Sequence, residues 1–160
     1  MCDKLRMLIF PTAPNRRLAL ALLILRLFVG IAFIQHGSGK LMHPAEFAAE
    51  FAIPVWLALA TMLTQLVGGI LLILGALTPL AALGIAGTMI TATIFLISRG
   101  EPFFNPAGHS WESSAFYLTA GICLALSGAG PWSLDAWLFR RNENSLHTGR
   151  FAGRSAARMG

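Results

Sequence analysis

The chain has 160 residues, of which 56% are hydrophobic and 12% are charged, and its formal net charge is +5. A soluble domain carries about 25% charged residues, so this composition excludes an ordinary soluble globular protein and indicates a membrane protein. Nine of the twelve Lys and Arg residues lie in the two terminal segments, at positions 4, 6, 16, 17, 140, 141, 150, 154 and 158. The positive-inside rule explains this distribution, which therefore does not favour nucleic-acid binding.

The two cysteines, Cys2 and Cys123, form no CxxC motif. One lies in the N-terminal tail and the other in an apolar run, so we do not expect them to pair, and a thiol-relay oxidase is disfavoured. The first apolar run carries Arg26, and no small-x-small cleavage site follows it. These features argue against a cleavable signal peptide.

Four apolar segments are predicted to span the membrane, since a bilayer core of about 30 Å needs roughly 20 apolar residues. In chain order, the predicted spans are residues 18–35, 54–77, 80–97 and 111–127. Gly37-Ser38-Gly39 is expected to end the first span, and Ser110 is expected to cap the fourth. Two short amphipathic segments, 44–51 and 132–139, are predicted to lie on the membrane surface, and Ser133 is expected to cap the second.

The predicted fold class is an all-α integral membrane protein, built as an antiparallel bundle of four transmembrane helices. The membrane domain covers residues 18–139, between a basic tail at 1–17 and a basic tail at 140–160 that is predicted to be disordered. Because basic segments favour the cytoplasmic side, we expect both termini inside and the loops at 36–53 and 98–112 outside. Glycines at 68, 69, 75, 84 and 87 are expected to allow close contact between helices.

One permanent cation, Arg26, lies inside the first predicted span, where an arginine costs about 2.5–3.5 kcal/mol unless protein or water surrounds it. By helical rise, Arg26 lies roughly 13 Å below the outer end of its span, and Gln65 roughly 16 Å below the outer end of the second. We therefore predict that Arg26 and Gln65 face each other and, with Gly30 and Gly69 one turn further along, bind a cofactor. The alternatives are that Arg26 only fixes helix register and that Gln65 only joins helices by polar contact.

A second polar group is predicted at the outer face of the membrane. Its members come from the outer loops and the adjoining span ends: His36, Lys40, His43, Glu46, Glu50, His109 and Glu112. No pair has a metal-ligand spacing such as HExxH, so no metal or haem site is predicted. Most of these residues are expected to be solvated, but His36, Lys40 and Glu112 lie at the membrane boundary, where they could hydrogen-bond a lipid head-group, a quinone or a partner loop.

Three stretches resemble the DoxX family of small bacterial and archaeal membrane proteins: LRLFVGIAFIQHGSGKL (25–41), QLVGGILLILGALTPLAAL (65–83) and GAGPWSLDAW (128–137). The resemblance implies a four-helical protein of the cytoplasmic membrane, related to subunits of thiosulfate:quinone oxidoreductase and of redox-stress complexes. By the same resemblance, the residues of this chain that correspond to features of the family are Arg26, Gly30, His36, Gly37, Lys40, Gly68-Gly69, Glu112 and Ser133-Leu134-Asp135. This chain has Gln65 where the family usually has Glu, so the charge of Arg26 is uncompensated unless another acid reaches it.

Two functions are consistent with this pattern. The first is a membrane subunit of a redox complex that passes electrons from a partner to the quinone pool. In that function Arg26 and Gln65 would hold the quinone head-group or stabilise its anionic reduced form, and His36, Lys40 and Glu112 would exchange protons. The predicted catalytic residues are therefore Arg26, His36, Lys40 and Glu112.

The sequence has no flavin, iron–sulfur or haem signature, so quinone is the one cofactor suggested, and any redox chemistry needs a bound cofactor or a partner. The alternative is a non-catalytic membrane scaffold or anchor that recruits a soluble protein. A small transporter ranks third, because no paired broken helices mark a substrate site. The expected partners are the lipid bilayer and either a protein or further copies of the chain, and nucleic acid is not expected.

Overall fold

A computed structural model of the chain describes residues 16–106 and 108–138, and within them every regular element is helical. The helices are α1 (Arg16–Leu41), α2 (Pro44–Glu50), α3 (Val55–Leu74), α4 (Thr78–Ser98) and α5 (Glu112–Ser127). Residues 134–138 are also helical, within the predicted surface segment. The all-α class is therefore confirmed, whereas nearly all of both predicted tails lies outside the described residues.

Three of these helices, α1, α3 and α4, are long and apolar enough to cross a membrane. Helix α5 has 16 residues, which corresponds to about 24 Å at the rise of an α-helix and is shorter than a typical span. The crossing of the membrane by α5 and the placement of both termini inside therefore stay predictions. Large apolar side chains that cover the outside of the bundle, such as Ile24, Leu83 and Leu126, are exposed where lipid would surround them.

The first helix is longer than its sequence predicts, because Gly37-Ser38-Gly39 does not end it. Helix α1 continues to Leu41. A Cβ atom at Gly37 would lie 2.8 Å from the backbone N of Leu66 and 3.0 Å from the carbonyl O of Met62. Gly37 thus serves close packing against α3, and the prediction that this glycine segment is a helix terminus is wrong.

The predicted caps have mixed outcomes. The residue that caps α5 is Trp111, without a side-chain hydrogen bond, so the prediction of Ser110 is wrong. Ser133 does cap the last helical segment, since its Oγ accepts a hydrogen bond from the Ala136 N–H at 3.1 Å. Helix α3 ends at Gly75, whose φ of 66° lies in the left-handed region that glycine adopts without steric cost.

Helices α1 and α3 run antiparallel with their backbones in contact. A Cβ at Gly30 would lie 2.7 Å from the carbonyl O of Gly69, and a Cβ at Gly69 would lie 2.7 Å from the carbonyl O of Gly30. Together with the contact of Gly37 on the 62–66 turn, this pair of glycines sets one register between the two helices.

The hydrophobic core lies among α1, α3, α4 and α5. Its fully buried members include Val29, Phe33, Leu72, Ile85 and Leu124. Helix α2 covers a second, smaller cluster near the outer end of α3, formed by Ala48, Ala58 and Met62. As predicted for a surface segment, α2 keeps an aromatic side: the rings of Phe47 and Phe51 lie 4.5 Å apart.

Gly69→Ala should destabilise the protein, because the new methyl group would press on the Gly30 carbonyl and cannot be accommodated without moving α1 away from α3. Overpacking of this kind costs about 1–3 kcal/mol. The matched control is Gly87→Ala, since a Cβ at Gly87 meets nothing within 4 Å. Unfolding of both variants in mixed micelles by a denaturing detergent measures the difference, and equal stability of the two variants would contradict the close contact.

Candidate functional site

The register of α1 against α3 places Arg26 and Gln65 at different heights. Both side chains are buried, with exposed fractions of 1% and 2%. Arg26 reaches Gly75, at the far end of α3, since a Cβ at Gly75 would collide with its Nη1 atom. Gly75 is ten residues beyond Gln65, or about 15 Å along the helix. The prediction that the two side chains face each other is therefore wrong, although both face the protein interior.

Arg26 lies in what we term the turn cluster, formed by Arg26, Gly75, Trp132, Ser133 and Asp135. The Arg26 Nη2 donates a hydrogen bond to the Trp132 carbonyl at 2.5 Å. Side chains on a helix lean toward its N-terminus, and this direction carries the guanidinium from the span toward the α3–α4 turn.

Asp135 holds the α3–α4 turn in this cluster. Its Oδ1 accepts a hydrogen bond from the Leu77 N–H at 2.9 Å and its Oδ2 accepts one from the Thr78 N–H at 3.2 Å. Its own N–H donates to the Gly75 carbonyl at 3.0 Å. The carboxylate therefore caps the N-terminus of α4, where the helix dipole favours a negative charge.

Asp135 is also the charged group that interacts with Arg26. Its attraction offsets part of the cost of burying that cation in a chain that has Gln65, a role that sequence reasoning did not assign. The family resemblance did mark Ser133-Leu134-Asp135 as a feature. It did not indicate that Asp135 lies near Arg26, because more than a hundred residues separate the two. Within the described residues, Arg26 Nε, Arg26 Nη1 and Thr78 Oγ1 remain buried without a hydrogen-bond partner.

The predicted outer residues do come together. A cavity of about 490 Å³, which we term the outer cavity, is lined by six of the seven: His36, Lys40, His43, Glu46, Glu50 and His109. Its remaining walls include Phe47 and Phe51 from the α2 side, Met89 from α4 and Tyr117 from α5. Gln65 lies at the same height, beside the contact of Gly37 with α3.

His36 is oriented by its own helix. Its Nδ1 lies 2.8 Å from the Ala32 carbonyl O; a carbonyl oxygen can only accept, so Nδ1 carries the proton and Nε2 is the nitrogen left to exchange one. The His36 ring centroid lies 6.0 Å from those of Phe33 and Tyr117. The imidazole thus has an aromatic wall on one side and the outer cavity on the other.

Lys40 and α2 line one side of the outer cavity. The Lys40 Nζ lies 4.8 Å above the ring of Phe47, and its charge interacts with that of Glu50. Two contacts fasten the end of α2 to α4: Phe51 stacks on Phe95 with centroids 4.4 Å apart, and Arg99 donates to the Glu50 carbonyl at 3.0 Å. His43 and Glu46 form a contact of 3.6 Å at the surface.

The structure does not bring Glu112 to His36 and Lys40. Glu112 is exposed at the start of α5 and lines a different cavity, of about 640 Å³, together with Phe28 and Phe116. Gly30 and Gly69 lie in the helix contact described above, where each occupies the space that a side chain would fill. Binding of a cofactor by Arg26, Gln65 and these glycines stays a prediction.

Comparison with known proteins identifies relatives. The sequence profile of the family described as DoxX matches residues 21–98. The chain is 29% identical over 133 residues to a Bacillus subtilis protein named "Putative oxidoreductase CatD", an alignment covering 81% of this chain and 96% of the relative. It is 32% identical over 127 residues to an uncharacterised Haemophilus influenzae protein, covering 75% of this chain and 92% of the relative.

An uncharacterised membrane protein of Mycobacterium tuberculosis is 29% identical over 136 residues, covering 76% of this chain and 83% of the relative. No solved structure matches the chain.

Asp135→Ala should destabilise the protein by about 3 kcal/mol, because it removes two buried hydrogen-bond acceptors and leaves Arg26 without its counter-charge. Adding Arg26→Leu should recover part of that loss, since the double variant no longer buries an uncompensated cation. Detergent-induced unfolding of the single and double variants measures the coupling.

Glu101→Ala, which removes a carboxylate from the α4–α5 loop, is the control and should change stability by about 0.5 kcal/mol or less. Strictly additive effects of Arg26→Leu and Asp135→Ala would contradict the turn cluster.

Proposed function

Because this chain belongs to the DoxX family of membrane proteins, we propose that it is the membrane subunit of a redox complex that passes electrons from a partner protein to a quinone in the outer cavity. One observation carries the proposal: an imidazole and an ammonium group line the same cavity as three aromatic side chains. A quinone head is a flat ring with two carbonyl oxygens, so it fits aromatic walls that are combined with hydrogen-bond donors.

In this proposal His36 and Lys40 contact the quinone oxygens. Reduction of a quinone to a quinol consumes two electrons and two protons, one proton for each oxygen. His36 takes up a second proton on Nε2 from the aqueous face, and this imidazolium delivers that proton to one oxygen while Lys40 Nζ delivers a proton to the other; both groups are then reprotonated from the aqueous face. The hydrogen bond from Nδ1 to Ala32 keeps the imidazole in the orientation that this transfer needs.

The partner supplies the electrons. The sequence carries no flavin, iron–sulfur or haem-attachment motif, so the proposal assigns the electron donor to a soluble or membrane protein that docks at the outer face. The name of the Bacillus subtilis relative is in keeping with an oxidoreductase. The relatives' names do not identify a donor. In this proposal the donor binds at the outer face of the membrane.

The other site residues that the sequence predicts do not contact the quinone in this proposal. Gln65 lies level with Gly37 of α1, whereas Arg26 belongs to the turn cluster and stabilises the opposite end of the bundle. Gly30 and Gly69 set the helix register on which both positions depend. Glu112 lies beside the second cavity, away from the two proton donors.

The proposal also includes a membrane placement. Helix α5 is the fourth span, both termini are cytoplasmic, and the outer cavity faces the outside of the cytoplasmic membrane. The basic residues at both ends of the chain support this orientation. A quinone pool in the same membrane is then within reach of the cavity.

His36→Phe should weaken binding of a quinone head-group by about tenfold, because it keeps the aromatic wall and removes the hydrogen-bond donor. The probe is 2,3-dimethoxy-5-methyl-1,4-benzoquinone, titrated calorimetrically into the protein in lipid nanodiscs. His147→Phe makes the same change at a position that the proposal does not use, and it should leave the affinity unchanged. Equal affinity of the His36→Phe variant and the wild type, or no binding to either, would contradict the proposal and favour a non-catalytic anchor.

A further inference from the structure

A groove runs between α1 and α5 on the side of the bundle that faces lipid. Helix α1 packs extensively on α3, and α5 packs extensively on α4, whereas α1 and α5 touch at few positions. The resulting cavity of about 640 Å³ is lined by Phe28 from α1, by Phe103 from the loop before α5, and by Phe116 and Thr119 from α5. Phe28 and Phe116 are both exposed. Glu112 also lines the groove, which therefore combines exposed aromatic side chains with one carboxylate at the start of α5.

This groove adjoins the outer cavity. Three residues line both spaces: Ser110, Ser113 and Tyr117. The Tyr117 ring lies in edge-on contact with Phe33 on one side, at 5.2 Å between centroids, and with Phe116 on the other, at 5.7 Å. Tyr117 thus lies between the outer cavity and the groove.

The two spaces also differ in depth. Phe28 lies eight residues before His36 in α1, or about 12 Å further into the membrane. Thr119 lies seven residues after the start of α5, or about 10 Å deep. The groove therefore leads from the height of the outer cavity toward the middle of the bilayer, and its charged lining residue, Glu112, lies at the outer end.

Helix α2 forms one wall of the outer cavity, and its end is fastened to α4 by the Phe51–Phe95 stack and by the hydrogen bond of Arg99. Toward water the cavity is open, because His36, Glu46 and His109 are exposed. A ligand with a long hydrocarbon tail partitions into the bilayer, because transfer of its methylene groups into water is unfavourable. Such a ligand needs an opening to lipid. The groove between α1 and α5 provides that opening, and it adjoins the outer cavity, where the proton donors lie.

We propose that the ligand of the outer cavity is a quinone with an apolar tail, that it arrives sideways from the bilayer, and that its tail lies in the groove between α1 and α5 with Tyr117 beside the junction of ring and tail. This inference rests on the proposed function and adds to it the binding site of the tail and the route of entry. Both halves of the ligand then meet matching surfaces: the carbonyl oxygens meet His36 and Lys40, and the tail meets Phe28 and Phe116.

The test uses two azidoquinone photoprobes with the same head, one carrying a ten-carbon alkyl tail and one carrying a methyl group. The wild type and two variants are labelled in lipid nanodiscs, and the labelled peptides are located by mass spectrometry. Thr119→Phe fills the groove. Leu126→Phe is the matched control, because Leu126 lies on the same helix with 75% of its surface exposed, outside the groove.

Thr119→Phe should raise the half-saturating concentration of the tailed probe by about tenfold or more, and should change that of the methyl probe by less than about twofold. Leu126→Phe should change neither value. Both probes should label peptides that line the outer cavity.

An unchanged half-saturating concentration of the tailed probe in Thr119→Phe would overturn the inference that the tail binds in the groove. In that case, labelling of the outer cavity by the methyl probe would still support the proposed function. An equal loss of both probes in that variant would also overturn it, because the substitution would then act on the head. If neither probe labels the wild type at the outer cavity, the proposed function falls and the inference falls with it.

Discussion

The contact between the backbones of α1 and α3 is the constraint on which the rest of the structure depends. At Gly30 and Gly69 each helix occupies the space in which the other would place a side chain. In a membrane, where lipid is as apolar as the helix surface, such close packing is a main source of association between helices. Because the contact admits one register, it also decides where every polar side chain on the two helices lies.

That register separates the polar residues of the spans into two groups with different tasks. At one end, the Trp132 carbonyl and the charge of Asp135 stabilise the Arg26 guanidinium, and Asp135 also binds the α3–α4 turn. An arginine within a span needs protein contacts of this kind. At the other end, Gln65 lies level with Gly37, one residue after His36. A buried ionisable residue in a membrane is a functional candidate by default, but here the contacts of Arg26 give it a structural task, and the groups suited to proton transfer lie at the opposite end.

Much of this arrangement could be predicted from local sequence. Apolar length identified the three long helices. The sequence placed six outer residues on one face of the membrane, but it did not predict that they line one cavity. The register could not be predicted, since the depth of Arg26 was counted from Gln35, whereas α1 continues for six residues to Leu41. Six residues add about 9 Å. The partner of Arg26 was missed for a related reason, because only tertiary contacts bring Asp135 to a residue more than a hundred positions away.

The most direct test of this account measures the register itself. Nitroxide labels are placed at Leu27 and Leu74 in one variant, and at Leu27 and Leu63 in another; all three positions face lipid. Because Leu63 and Leu74 are eleven residues apart, or about 16 Å along α3, the two label distances differ clearly. The account predicts the shorter distance for Leu27 with Leu74. A shorter distance for Leu27 with Leu63 would bring Arg26 level with Gln65 and would contradict it.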